Sequence, residues 1–120
     1  IGYRAVGQLM AQPDPPTAIF GTSDEVSIGL LAGLKDHGLR VPEDVALTSV
    51  DDIAFARMIR PALTTVHVPN ESFGPHALRM LAMHRDYPDM QPASIVLPTE
   101  LIVRESCGAR LATSRPADGE

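Results

Sequence analysis

Thr17-Ala18-Ile19-Phe20-Gly21-Thr22, followed by a helix-length segment up to Gly38 and then by Val45-Ala46-Leu47-Thr48-Ser49-Val50, decides the fold of this chain. The first short run is apolar on both of its faces, a pattern that suits a central parallel strand better than a half-exposed one, and the second run is the next strand. Between them Ser23 or Asp24 offers a side-chain oxygen to orphan helical N–H groups. Gly38 sits where a helix ends in the left-handed conformation. Strand, helix, strand in this order is a βαβ unit, and hence a parallel sheet with helices on its faces.

Working outward, Val6, Leu9 and Met10 lie at helical spacing, so Ile1 to Ala11 reads as a helix stopped by Pro13, Pro15 and Pro16. In the helix after Asp24, Val26, Leu30 and Leu34 form one apolar stripe and Ile28, Leu31 and Ala32 a second. One stripe covers the sheet and leaves the other for a different partner. The second strand stops at Asp51-Asp52, and a short irregular or helical piece runs through Met58 and Ile59 to Pro61. Leu63 to Val68 is a β-branched third strand. Asn70 to Arg85 is a further helix in which Pro75 fits only within the first turn. Ser94 to Leu97 and Leu101 to Val103 read as edge strands, and residues 109–120 as a polar, disordered tail.

Composition narrows the function. With 120 residues, 44% of them hydrophobic, the chain can bury one core, so a single domain or subdomain is expected. A net charge of −5 with Lys35 as the only lysine leaves no basic face for nucleic acid. Cys107 is alone, which excludes a disulfide framework or a multi-cysteine metal site and fits a reducing cytoplasm. The four histidines lack close metal-ligand spacing, so no metal and no cofactor are expected. No apolar run is long enough for a membrane span and no signal-peptide pattern opens the chain. The chain begins at Ile1, inside a helix, and reads as a fragment.

In a parallel sheet, ligands sit beyond the carboxyl ends of the strands. There the first strand delivers Thr22, Ser23 and Asp24, the second Asp51 and Asp52, and the third His67 and Val68. These groups form a rim able to read hydroxyl groups. A solvated turn accounts for Asp51-Asp52 equally well on this evidence.

Five blocks resemble the LacI/GalR family of bacterial repressors, in the family's order and approximate spacing. They are Pro16-Thr17-Ala18-Ile19-Phe20 with Ser23-Asp24; Gly38-Leu39-Arg40-Val41-Pro42-Glu43-Asp44-Val45-Ala46-Leu47; Asp51-Asp52; Pro61-Ala62-Leu63-Thr64-Thr65-Val66; and Leu101-Ile102-Val103-Arg104-Glu105-Ser106. The resemblance implies a three-layer α/β/α parallel-sheet subdomain of a periplasmic-binding-protein-like sensor. Residues 1–108 would form the C-terminal subdomain, without the N-terminal subdomain and the helix-turn-helix. The function implied is the ligand-sensing part of a repressor, which controls operator DNA through that helix-turn-helix and takes a sugar or similar polar effector.

The same resemblance assigns residues. Asp51 matches the carboxylate that accepts effector hydroxyls, a task suited to two acceptor oxygens. Ser23 stands where many members have Asn, and Val68 where many have Gln. Val50 replaces an aromatic. Phe73 matches an apolar side chain facing the ligand, although helix core is an equal alternative. Asp24 serves as a helix cap as readily as a ligand contact, and Asp52 reads as structural. Homodimer contacts fall on Ile28, Leu31, Met58 and Ile59, unless the absent half of the sensor covers that stripe. A transporter's extracytoplasmic sugar-binding protein shares the architecture but would need a signal peptide. A phospho-receiver or enzyme could use paired acids for Mg²⁺, but lacks a lysine at a strand end, Lys35 lying late in a helix. No catalytic constellation is present.

Overall fold

The computed structural model describes residues 1–109, so the expected tail lies outside the described residues apart from Ala109. In chain order the elements are α1 (Gly2–Met10), β1 (Ala18–Phe20), α2 (Asp24–Asp36), β2 (Ala46–Asp51), a 3-10 turn (Ala54–Arg57), β3 (Thr64–His67), α3 (Asn70–Asp86) and β4 (Glu100–Ile102). The sheet order is β1-β2-β3-β4. β1, β2 and β3 run parallel, and β4 is antiparallel to β3. The α/β fold with a mainly parallel sheet is the one the sequence predicts.

α2 is built as its sequence dictates. Ser23, in extended backbone, accepts the Val26 N–H on Oγ at 3.3 Å and caps the first turn, where Asp24 and Glu25 face the positive end of the helix dipole. Gly38, at φ +73°, takes the left-handed position that ends it. Leu30 and Leu34 are buried and join Val6, Val45, Leu47, Ala56 and Leu63 in the core. α1 lies against α2 closely enough that a Cβ on Gly33 would meet the Tyr3 carbonyl at 2.9 Å. Glycine is required there.

The strand register sorts side chains by face. Ile19 pairs with Leu47, and Ser49 with Thr65, which in turn pairs with Ile102. Leu47, Ser49 and Thr65 are buried, and Ser27 of α2 hydrogen-bonds Ser49 Oγ at 2.8 Å. This is the α2 side of the sheet. On the other face Phe20 and Leu101 are 62% and 59% exposed, with no layer over them among the described residues. β1 is an edge strand among the described residues, not the central strand its apolar pattern predicts.

α3 buries none of its residues. Leu78, Leu81 and Met83 are exposed, and the molecule is elongated, with extents of 62 × 40 × 28 Å. Pro75 falls inside the helix, past its first turn. No strand forms over Ser94 to Leu97, where Ile95 and Val96 are exposed and have no neighbouring strand to pair with among the described residues. The expected edge strand at Leu101 is present as β4, beginning at Glu100.

The residues after β4 tie the sheet together. The fully buried Ser106 hydroxyl donates to the Leu47 carbonyl at 2.6 Å and accepts the Thr64 N–H at 2.8 Å, bridging β2 and β3. The Leu47 N–H donates to the Ser106 carbonyl at 2.8 Å, and Glu105 Oε2 accepts the Ala62 N–H at 2.7 Å. Ahead of β2, Arg40 bonds Asp44 through its side chain and its backbone N–H, and these bonds lower the Asp44 carboxyl to about 2. Ser106→Ala would strip a buried carbonyl and a buried N–H of one partner each. It is expected to cost about 2 kcal/mol in urea unfolding of the intact protein, within the range for unsatisfied buried groups.

Candidate ligand site at the strand ends

β2 ends at Asp51, and Asp51 and Asp52 are consecutive non-glycine residues with positive φ, 123° and 59°. Such backbone costs on the order of 1–3 kcal/mol per residue and persists only where its surroundings hold it. The restraint comes from three sides. Asp24, fully buried in the first turn of α2, accepts the Ile53 N–H on Oδ2 at 2.8 Å and the Thr65 hydroxyl on Oδ1 at 2.7 Å. Asp52 Oδ1 accepts Arg104 Nη2 at 2.5 Å, and His67 Nδ1 lies 3.3 Å from its Oδ2. One carboxylate thus fixes the chain just after the turn, and a second fixes the turn itself.

Arg104 is anchored in its own right. Its Nη1 donates to the Leu63 carbonyl at 2.9 Å and its backbone N–H to Thr64 Oγ1 at 2.8 Å. With 16% and 19% of their side-chain surface exposed, Arg104 and Asp52 form an ion pair largely withdrawn from water. Breaking such a pair on one side leaves a buried charge without compensation.

Asp51 differs from its neighbour. It is partly exposed and pairs in register with His67, beside Val68. Among the described residues its carboxylate has no hydrogen-bond or ion-pair partner, which leaves two acceptor oxygens free. Ser23 also stands at this end, partly exposed, with one lone pair given to the α2 cap.

Asp24 requires a correction. With no exposed surface and both oxygens occupied, it is an internal strut and not a ligand contact. Its position as the first helical residue turns the carboxylate inward, while the capping task falls to Ser23. Asp52 is structural, as read. Phe73, 51% exposed in the first turn of α3, and Val68, partly buried, complete the expected set. None of Asp51, Ser23, Val68 and Phe73 lines the cavity that lies against α3. That space, about 550 Å³, is bounded by Met80, Leu81, Met83, His84, Met90 and Pro92 among others.

The residues expected at a dimer contact also divide. Leu31 and Ile59 are partly buried and pack against the core, Ile28 is partly buried, and Met58 is 66% exposed beside an equally exposed Phe55. Sequence reasoning did not single out Arg104, Thr65 or Ser106 as supports of the site. The Arg-Glu-Ser run directly after a strand was the available signal. Among the described residues no group of three His, Cys, Asp or Glu could hold a metal ion, and no helix is long and apolar enough to cross a membrane.

Residues 2–107 match the family model of the periplasmic-binding-protein-like domain, and the chain belongs to that family. Within it the likeness is to LacI-type regulators. The chain is 42% identical over 105 residues to the HTH-type transcriptional repressor PurR of Escherichia coli (strain SMS-3-5 / SECEC), an overlap of 88% of this chain and 31% of the relative. It therefore spans less than a third of the curated relatives it matches. A putative LacI transcriptional regulator from Bacillus cereus subsp. cytotoxis NVH 391-98 superposes with a TM-score of 0.85 at 32% identity, over 88% of this chain and 38% of that one. A LacI family transcriptional regulator from Enterococcus faecalis V583 with bound ribose gives 0.79 at 30% identity, over 88% and 39%.

Thr65→Val keeps the side-chain volume but removes the hydroxyl that satisfies Asp24 Oδ1. Leaving a buried carboxylate oxygen unpaired is expected to cost about 3 kcal/mol, the upper part of the range for an unsatisfied buried group. Urea denaturation of the intact protein measures this, and a loss below about 0.5 kcal/mol would show that water replaces the hydroxyl.

Proposed function

We propose that this chain is the ligand-sensing and dimerising portion of a bacterial LacI-type DNA-binding transcriptional regulator. A sugar or similar small polar effector binds beyond the strand ends and controls operator binding allosterically. The observation that carries this reading is the free carboxylate of Asp51, partly exposed at the end of β2 while its neighbours are tied down. A carboxylate with two unused oxygens accepts bonds from adjacent hydroxyls of a sugar. Ser23 contributes its hydroxyl from α2, and Val68 and Phe73 supply apolar wall. Ribose in the Enterococcus faecalis regulator supports a sugar-sized polar ligand. The 42% identity to a transcriptional repressor favours a regulator over a transport protein.

Nothing in this reading requires the ligand to react, and the protein acts as a switch, not an enzyme. The effector biases an equilibrium between two arrangements of the sensor, by no more than its difference in affinity for them. Operator DNA is bound by a helix-turn-helix, since the acidic balance here gives no phosphate-binding face. A protein acting on chromosomal DNA works in the cytoplasm. Homodimer contact falls on the outer stripe of α2 and the turn after β2, through Ile28, Leu31, Met58 and Ile59, with Met58 the most exposed of the four.

In the intact protein, a thermal-shift screen against sugars and nucleosides should identify the effector, because a ligand that binds only the folded state raises Tm. Asp51→Ala should then weaken that effector by about 10- to 100-fold, the worth of charged hydrogen bonds. Operator affinity without effector should stay unchanged. Wild-type response in the variant would count against the role of Asp51.

A further inference from the structure

The two acids at the end of β2 are held in opposite ways. Asp52 has a cation or ring nitrogen on each oxygen, from Arg104 and His67, whereas Asp51 has neither. Both carry positive φ, so the direction of the free carboxylate depends on a backbone that does not hold this shape unaided. Ile53, just beyond, is fixed by Asp24. Two of these restraints act on the turn itself, both through Asp52: His67 from the end of β3, and Arg104, which is also tied to the sheet at the Leu63 carbonyl and Thr64 Oγ1.

We propose that Arg104 is the positioning residue of the ligand site, aiming the Asp51 carboxylate through its ion pair with Asp52. The guanidinium does not touch the ligand. It neutralises one acid of the pair, so the other stands alone as acceptor, and it locks the turn by two directed bonds from a planar fork. Lysine keeps the charge but lacks the planar fork whose two arms hold Asp52 and the Leu63 carbonyl together. The effector-binding part of this inference rests on the function proposed above, and the geometric part does not.

The test compares wild type, Arg104→Met, Arg104→Lys and Asp51→Ala in the intact protein. Hydrogen exchange is read by mass spectrometry on peptides covering residues 50–57 and, as reference, on α1 and α2. D-ribose is the binding probe. Arg104→Met should speed exchange in residues 50–57 by at least tenfold and leave α1 and α2 within twofold of wild type. Arg104→Lys should fall between the two. Ribose affinity should drop at least tenfold in Arg104→Met and follow the exchange rate across the series, whereas Asp51→Ala should lose affinity without faster exchange.

Unchanged exchange at 50–57 in Arg104→Met, or faster exchange spread equally over α1 and α2, would overturn the proposal, the second by making Arg104 a general support of the fold. The exchange comparison decides the positioning role without any ligand. A wild-type protein that ignores D-ribose therefore counts against ribose as effector and not against the role of Arg104.

Discussion

A single buried carboxylate, Asp24, meets three parts of the fold at once. It belongs to the first turn of α2, holds the backbone just after β2 through the Ile53 N–H, and holds β3 through the Thr65 hydroxyl. A charged group without exposed surface is tolerated only when its acceptors are used. Here both are. The helix N-terminus adds a favourable field for the negative charge. The strand ends are thereby locked to the helix that packs over them, and the chain that leaves the Asp51-Asp52 turn is fixed at Ile53.

Around this strut the polar groups of the sheet divide into supports and presented groups. Ser27 and Ser49, Thr64 and Ser106, and Asp52 and Arg104 each pair with one another inside or near the core. No buried side-chain polar atom lacks a partner among the described residues. Asp51, partly exposed, stands outside this system. Under the proposed function, this free carboxylate would exchange water for the hydroxyls of the effector.

Much of this was legible in the sequence. Apolar runs ending in Ser-Asp and Asp-Asp located β1, β2 and their carboxyl ends, and Gly38 located the end of α2, because local sterics and capping fix those features. Asp51 stood out for the same reason, being the residue on which a strand stops. Asp24 was misassigned because a cap, a strut and a ligand contact all place an acid at a helix start. Only the long-range bonds to Ile53 and Thr65, 29 and 41 residues away, separate them. The Arg-Glu-Ser run drew attention to Arg104 but not to its task, since its partner lies 52 residues earlier. The strand predicted over Ser94–Leu97 and the packing of α3 depend on tertiary partners that local pattern does not report. Their exposed Val96, Leu78 and Leu81 show apolar surface with nothing against it among the described residues.

Amide exchange at Ile53 in Asp24→Asn, followed by NMR in the intact protein, is the closest test of this organisation. Asparagine keeps the size but offers one acceptor oxygen where two donors converge. With Asp24 as the shared strut, the Ile53 amide is slow to exchange in wild type and at least tenfold faster in the variant, while amides at the centre of α1 keep their protection. An Ile53 amide equally slow in both proteins would contradict the account, since the chain just after the turn would then be held by something other than Asp24.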